Sequence, residues 1–275
     1  MKIGITGSDG LIGSRLLDDL QAFDNVSTIV IESDIKNEKQ IAKELRSKDP
    51  DMLVHFAALT DVTFCEQFPE QALEVNARGV HNILNTFDGD YFVYISTDHV
   101  FHGKKFGMAY TERHEPSPVN FYGLTKLAGE GMAKMFFNKA IIVRSSKVFT
   151  SHTLRTDYEI LASGMPLTFT DVVKRSFVHV DDFLEGLIYV LFNADDMPET
   201  LHVAGKDTLS YAKFWRMVAI EAGIDPKLVV ARKTKLKEAT PRPYNGGLDV
   251  GLAKKLGVPL YHVSHGIKKL DFVEG

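Results

Sequence analysis

The chain has 275 residues, 44% of them hydrophobic, and a formal net charge of −4. That length builds one large domain or two smaller lobes around a full core, and the acidic balance excludes a general nucleic-acid binder, which needs a basic surface. A single cysteine, Cys65, excludes an intrachain disulfide, which points to a reducing, cytoplasmic setting and an ordinary thiol.

In chain order, short runs rich in Val, Ile and Phe alternate with segments of helical period. "KIGIT" (2–6) precedes "LIGSRLLDDLQAF" (11–23), and "STIVI" (27–31) precedes "EKQIAKELRSK" (38–48). "DMLVHFAA" (51–58) leads to one long helical pattern over 66–87, and "YFVYIS" (91–96) leads to the helix that contains "VNFYGLTKLAGE" (119–130). "AIIVRSS" (140–146) reads as a fifth buried strand. Strands apolar on both faces and separated by helices imply a parallel sheet covered on both sides, a doubly wound α/β fold. Further on, 177–192 reads as a short strand and a helix capped by Asp181 or Asp182, and "TLHVAG" (200–205) as a further strand of the main sheet. The run "GLIYVLF" at 186–192 is far too short to span a bilayer and the opening residues form no signal peptide, so no membrane association is expected.

"TGSDGLIG" sets Gly7, Gly10 and Gly13 between the first strand and the first helix. Glycines there permit a tight turn and let a diphosphate approach the backbone, while the helix start supplies N–H donors. This is a dinucleotide-binding pattern, spaced GxxGxxG. The acidic ribose partner belongs about 20 residues further on; Glu32 fits, and it fits equally as a solvated strand end. Residues 24–35 hold no Arg or Lys, although Arg15 is available on the first helix, so NAD and NADP both stay open. The expected architecture is a Rossmann-type domain over 1–146, with 177–207 returning to it, and a smaller C-terminal substrate-binding lobe from 147–176 and 208–275.

Tyr122 and Lys126 stand four apart, so on a helix the phenol and the ammonium are neighbours. A cation held beside a phenol favours the phenolate and lowers a pKa that is otherwise about 10. Such a pair alone is common on helices. Here it joins other segments in a fixed order: "TGSDGLIG", "SDIKN" (33–37), "HFAALTDVTFCE" (55–66), "YISTDHVFHG" (94–103), "YTERHEPSPVNFYGLTKLAGE" (110–130), "RSFVHVDD" (175–182) and "RPYNGGLDV" (242–250). Together they resemble an extended short-chain dehydrogenase/reductase, and most closely the dTDP-4-dehydrorhamnose reductase family, over nearly the whole chain.

The resemblance implies NAD(P)H-dependent reduction of the 4-keto group of a nucleotide-diphosphate deoxysugar, dTDP-linked in that family. By the same likeness Thr97, Tyr122 and Lys126 are the catalytic set: Thr97 holds the carbonyl oxygen, Tyr122 protonates it as hydride reaches the carbon, and Lys126 lowers the phenol pKa and bonds the nicotinamide ribose. Leu11 and Ile12 would meet the diphosphate through backbone groups. Asp34 and Ile35 match an adenine-contacting pair, Asp34 being also a candidate helix cap. Ala57, Ala58 and Leu59 would admit the cofactor closely, Asp98 would join Thr97 at the sugar, and Asn76 resembles a supporting asparagine. Lys147, Arg175 and Arg242 are candidates for the sugar or its diphosphate, each with a solvated or ion-paired alternative.

Two positions depart from the family pattern. His99 replaces the tyrosine of "STDYVF", either as a packed ring or as a proton carrier, and Lys147 replaces an aromatic residue. Dehydratases of the superfamily place Asp-Glu after the catalytic Thr; Asp98–His99 lacks that second acid and disfavours dehydration. An epimerase of the same superfamily remains the alternative, as does a non-catalytic NAD(P)-binding regulatory subunit like that of methionine adenosyltransferase. The ten histidines show no local zinc spacing, so no metal is expected, and a homodimer is left open.

Overall fold

The computed structural model describes residues 1–104, 107–233 and 240–272. The chain divides into two compact units: Met1–Val100, Pro116–Arg144 and Ile188–Leu201 form the first, and Phe101–Glu115, Ser145–Leu187 and His202–Gly275 the second.

In the first unit the order is β1 (Lys2–Thr6), α1 (Leu11–Leu20), β2 (Ser27–Ile31), α2 (Glu38–Lys48), β3 (Met52–His55), α3 (Val62–Gln67), α4 (Pro69–Leu73), α5 (Gly79–Leu84), β4 (Tyr91–Thr97), α6 (Phe121–Phe136) and β5 (Ala140–Ser145). The strands form one sheet in the order β2-β1-β3-β4-β5, extended at its far edge by Thr200–His202. β1 pairs in parallel with both β2 and β3, and β3 with β4. The chain therefore leaves β1 in opposite directions, first to β2 and then to β3. That reversal opens a crevice at the carboxyl ends of β1 and β3, where such sheets bind ligands.

Every residue of β3 and β5 is buried, as strands covered on both faces require. One face packs Leu53, Phe92, Tyr94 and Ile142 of the strands against Ile41 and Leu45 of α2, Val80 and Ile83 of α5, and Ala133 of α6. The helix α6 lies close because its glycines leave room. A Cβ at Gly129 would collide with the Tyr94 hydroxyl and stand 2.6 Å from the Asn76 carbonyl oxygen, and one at Gly123 would collide with the His99 carbonyl.

Two expectations need correction. The long helical pattern over 66–87 is broken near its start: Phe68 leaves helical dihedrals, and Pro69, which lacks an N–H, opens α4, which runs on through a π-helical turn at Glu74–Arg78 into α5. Its apolar periodicity survives because each piece still buries one side. The helix after 177 starts at Val180, so Asp181 and Asp182 lie within its first turn rather than before it. There they complement the positive end of the helix dipole.

The second unit holds a three-stranded sheet of Thr208–Ser210, Lys174–Ser176 and Asn245–Gly246, and a parallel pair, Leu167–Thr170 with Val229–Arg232. Its core is aromatic, with Phe177 stacked on Phe214 at 4.1 Å and Trp215 on Phe169 at 5.2 Å.

Two substitutions on α6 separate close packing from helix propensity. Gly129→Ala forces its methyl into Tyr94 and is expected to lose about 1–3 kcal/mol. Gly131→Ala meets nothing within 4 Å and is expected to gain about 0.5–1 kcal/mol from helix propensity. Urea unfolding of both variants beside wild type measures the two signs.

Candidate active site

The glycine turn is shaped by close backbone contacts. Gly7 has φ +68°, and a Cβ there would stand 2.7 Å from the Ala57 nitrogen; a Cβ at Gly13 would collide with the Gly7 carbonyl. No side chain caps α1 and its first turn carries no acid. The first bond into the helix runs from Ser14 N to Gly10 O, 3.0 Å, which leaves the N–H groups of Leu11, Ile12 and Gly13 without helical acceptors. Those donors at the positive helix end, with no acid in the helix's first turn, fit a dinucleotide diphosphate.

Opposite the turn, the segment Ala57, Ala58 and Leu59 leaves β3 half-buried. Asn76, buried in the π-helical turn, clamps it: Leu59 N donates to Asn76 Oδ1 at 2.8 Å, and Asn76 Nδ2 donates to Leu59 O at 2.9 Å and to Thr125 Oγ1 at 3.0 Å. One asparagine thus ties the loop to α6. At the end of β2, Glu32 is exposed, and its N–H and that of Ser33 donate to the Glu44 carboxylate at 3.0 and 2.8 Å. Burial raises the Glu44 pKa, but hydrogen bonds from Lys48 and Ser33 outweigh it and bring the value to about 2. Asp34 accepts from Lys36 N at 3.0 Å and pairs with the Lys36 ammonium at 3.4 Å. The cap of α2 is Asn37 instead, through Gln40 N. Ile35 is buried, a Cβ at Gly79 would lie 2.6 Å from its Cδ1, and its carbonyl accepts from Asn82. Arg15 is exposed on α1.

Thr97 ends β4. Its hydroxyl accepts from His99 N at 3.2 Å and donates to Asp98 Oδ1 at 3.3 Å. Asn120 caps α6 by accepting from Gly123 N at 2.8 Å, and its amide nitrogen donates to His99 Nδ1 at 3.1 Å. The His99 ring meets Tyr122 edge-on, with centroids 5.3 Å apart. Asp98 is buried. Lys126, also buried, sets its ammonium 4.1 Å from the centre of the Tyr94 ring. Four residues further along α6, Glu130 receives Arg144 Nε at 2.8 Å, Arg144 Nη2 at 2.6 Å and Ser96 Oγ at 2.5 Å.

The electrostatics depart from the simple expectation for the Tyr–Lys pair. Burial pushes the Tyr122 phenol up, Thr97 pulls it partly back, and Asp98 adds to the rise. Burial also pushes the Lys126 ammonium down to about 7, against an upward pull from Glu130. Desolvation therefore dominates both shifts, keeping the phenol protonated and bringing the ammonium to the point where it exchanges its proton near neutral pH. Cys65 Sγ lies 3.5 Å from the Leu59 carbonyl, and burial lifts its thiol to about 11, an inert thiol.

The remaining candidates belong to the second unit. Lys147 is exposed and its carbonyl accepts from Val178 N. Arg175 is buried, with Nη1 donating to the carbonyls of Lys174 at 2.7 Å and Pro243 at 3.1 Å. Arg242 is half-buried. Among the described residues no cluster of three or more His, Cys, Asp or Glu could hold a metal ion, and no helix is long and apolar enough to cross a membrane. Sequence reasoning missed Glu44, Asn120, Tyr94, His55 and the Glu130–Arg144 pair. A usable signal existed for the last: an arginine inside the apolar run "AIIVRSS" needs a buried acid, and Glu130 continues the four-residue spacing from Tyr122 and Lys126.

The Lys126 shift has a measurable consequence. Its folded value is about 7 against an ordinary 10.5, so between these limits the unfolded chain holds the extra proton and stability rises with pH. Lys126→Met removes that dependence. Its stability relative to wild type is expected to be highest below about pH 7 and to decline steadily toward about pH 10, as read from urea midpoints across the range.

A family model described as "RmlD substrate binding domain" matches residues 1–270. The chain is similar to the dTDP-4-dehydrorhamnose reductase of Escherichia coli (strain K12), 29% identical over 269 residues that cover 90% of this chain and 89% of the other. It is 30% identical over 240 residues to that of Mycobacterium tuberculosis (strain H37Rv), covering 83% and 78%. Among solved structures, the dTDP-4-dehydrorhamnose reductase of Bacillus anthracis str. Ames in complex with NADP superimposes with a TM-score of 0.89 at 25% identity, over 98% of this chain and 96% of that one. Matched over nearly its whole length, this chain belongs to the RmlD substrate binding domain family, that of the dTDP-4-dehydrorhamnose reductases.

Proposed function

We propose that the chain reduces the 4-keto group of a dTDP-linked deoxysugar with NAD(P)H, Tyr122 donating the proton. The observation that carries this reading is that Thr97 ends β4 and bonds His99, whose ring meets the Tyr122 phenol ring edge-on, with Lys126 one helical turn on. The names of the relatives and the NADP in the Bacillus anthracis structure support the choice of substrate and cofactor.

Bound nicotinamide supplies the hydride; the chain's own residues govern the proton. Thr97 donates a hydrogen bond to the substrate carbonyl oxygen and holds it beside the phenol. Because burial raises the Tyr122 pKa, the phenol keeps its proton through the neutral range until a stronger base, the developing alkoxide, forms next to it. Donation leaves a phenolate, and a protonated Lys126 one turn away then offsets a charge that burial alone would disfavour. A raised phenol pKa thus suits an acid working in the reductive direction. Asp98 lies against Thr97 and is the nearest carboxylate for a sugar hydroxyl, and the turn at Gly7 with the α1 N-terminus takes the cofactor diphosphate.

The test is oxidation of NADPH and of NADH with dTDP-4-dehydro-6-deoxy-L-mannose. Tyr122→Phe is expected to lose about 10²–10⁴-fold in kcat with cofactor binding retained, and Thr97→Ala to lose turnover while still binding cofactor. Wild-type protein that binds cofactor yet turns over no keto-sugar would sink the reductase reading. Conversion of a sugar nucleotide without net cofactor oxidation would replace it with an epimerase.

A further inference from the structure

Thr6, His55 and Tyr94 form one row across the sheet, because Thr6 pairs with His55 on β3 and His55 with Tyr94 on β4. All three are buried. Thr6 Oγ1 and His55 Nδ1 are 2.7 Å apart, and Thr6 Oγ1 also accepts from Ala57 N at 3.4 Å. The imidazole stacks on the Tyr94 ring with centroids 5.7 Å apart and planes 18° from parallel. Lys126 completes the row, its ammonium 4.1 Å from the centre of that same ring. The row therefore runs from the residue before Gly7 to the active-site lysine, and the proton chemistry above makes no use of it.

His55 Nε2 is buried and has no hydrogen-bond partner among the described residues. An orphaned buried polar atom calls for a physical reason. The two neutral tautomers differ in what they leave at Nε2. With the proton on Nε2, a buried N–H would lack an acceptor. With the proton on Nδ1, that N–H donates to Thr6 Oγ1, and the bare Nε2 leaves no buried N–H without an acceptor. The second arrangement is the one that strands no donor. Burial, and secondarily the Lys126 charge, hold the imidazole down at about 3, so it stays neutral.

We propose that Tyr94 and His55 are positioning residues for Lys126: the face of the Tyr94 ring holds the ammonium, and His55, stacked on that ring and anchored through Nδ1 to Thr6, fixes the ring in place. The assignment rests on the reading of Lys126 as part of the catalytic set. The other titratable and charged groups around the lysine are Glu130 on its own helix, shared with Arg144 and Ser96, and Tyr122 one turn earlier. Glu130 is already bound by two partners, which leaves a share of the lysine's stabilisation to the ring. The row also links sites: Thr6 adjoins the cofactor turn, so the strand pairing that places Gly7 also places the floor beneath Lys126.

The test requires neither substrate nor turnover. Nitrogen NMR of the ligand-free full chain, with His55 assigned by the loss of its signals in His55→Asn, is expected to find Nδ1 protonated and Nε2 bare near neutral pH. In protein carrying carbon-13 at lysine Cε, with Lys126 assigned through Lys126→Arg, the lysine midpoint is expected to fall by about 0.5–1 pH unit in Tyr94→Leu and in His55→Leu. It is expected to stay in place in Tyr94→Phe, which keeps the ring. A proton on Nε2 of His55, or a midpoint that either leucine variant leaves unchanged, overturns the proposal, and the tautomer measurement on wild type decides it even where a variant fails to fold. Absent sugar turnover alongside these shifts would sink the reductase reading alone.

Discussion

The buried pair of Glu130 and Arg144 governs where Tyr122 and Lys126 sit. Both side chains are nearly inaccessible, 2% and 3% exposed, and the guanidinium meets the carboxylate through two parallel hydrogen bonds. A charge this deep is tolerated only if its partner is placed correctly, since leaving one ion alone costs about 3–5 kcal/mol. The pair joins α6 to β5, and Ser96 extends it to β4. It therefore fixes the rotation of α6 on the sheet. Tyr122 and Lys126 lie eight and four residues earlier on the same helix face, so the rotation that satisfies Glu130 also turns the phenol and the ammonium toward the end of β4.

Close approach does the rest. Glycines at 123 and 129 let α6 lie against the His99 carbonyl, the Tyr94 hydroxyl and the Asn76 carbonyl with no side chain between. The consequence is electrostatic as much as steric. Packed this tightly, Tyr122 and Lys126 lose solvent, and desolvation penalises the charged form of each. One cause thus moves a phenol up and an ammonium down. The ligand-free site stores little charge, and an arriving anion finds a lysine able to take up a proton near neutral pH.

Much of this was legible in the sequence. The strands at 2–6, 27–31 and 140–145 and the helix at 38–48 are runs whose local pattern and tertiary role agree. The glycine turn and the Tyr122–Lys126 spacing are equally local, which is why both could be named before the fold was seen. Interactions between segments distant in sequence were not legible. The pattern over 66–87 concealed a break, because Pro69 and the π-helical turn leave apolar periodicity intact while changing the backbone. The turn's consequence, Asn76 clamping Leu59 across 17 residues, depends on where the loop after β3 ends. The sign of the Tyr122 shift was hidden as well: spacing shows that a lysine is near, whereas burial, which decides the outcome, belongs to the folded sheet.

The sheet also explains how the glycine turn and Tyr122, from opposite parts of the first unit's sequence, keep a fixed separation. Gly7 follows β1, Ala57 follows β3, and Thr97 ends β4; adjacent strands stand about 4.8 Å apart. Three adjacent strands thus set out the glycine turn, the Ala57–Leu59 loop and the Thr97 hydroxyl along one edge. Thr6 accepting from Ala57 N and Asn76 bonding both Leu59 and Thr125 lock the loop to the strand before it and the helix above it. Displacement of any one piece would break a hydrogen bond to its neighbour, so the spacing between the glycine turn and Tyr122 is held by the same contacts that hold the fold.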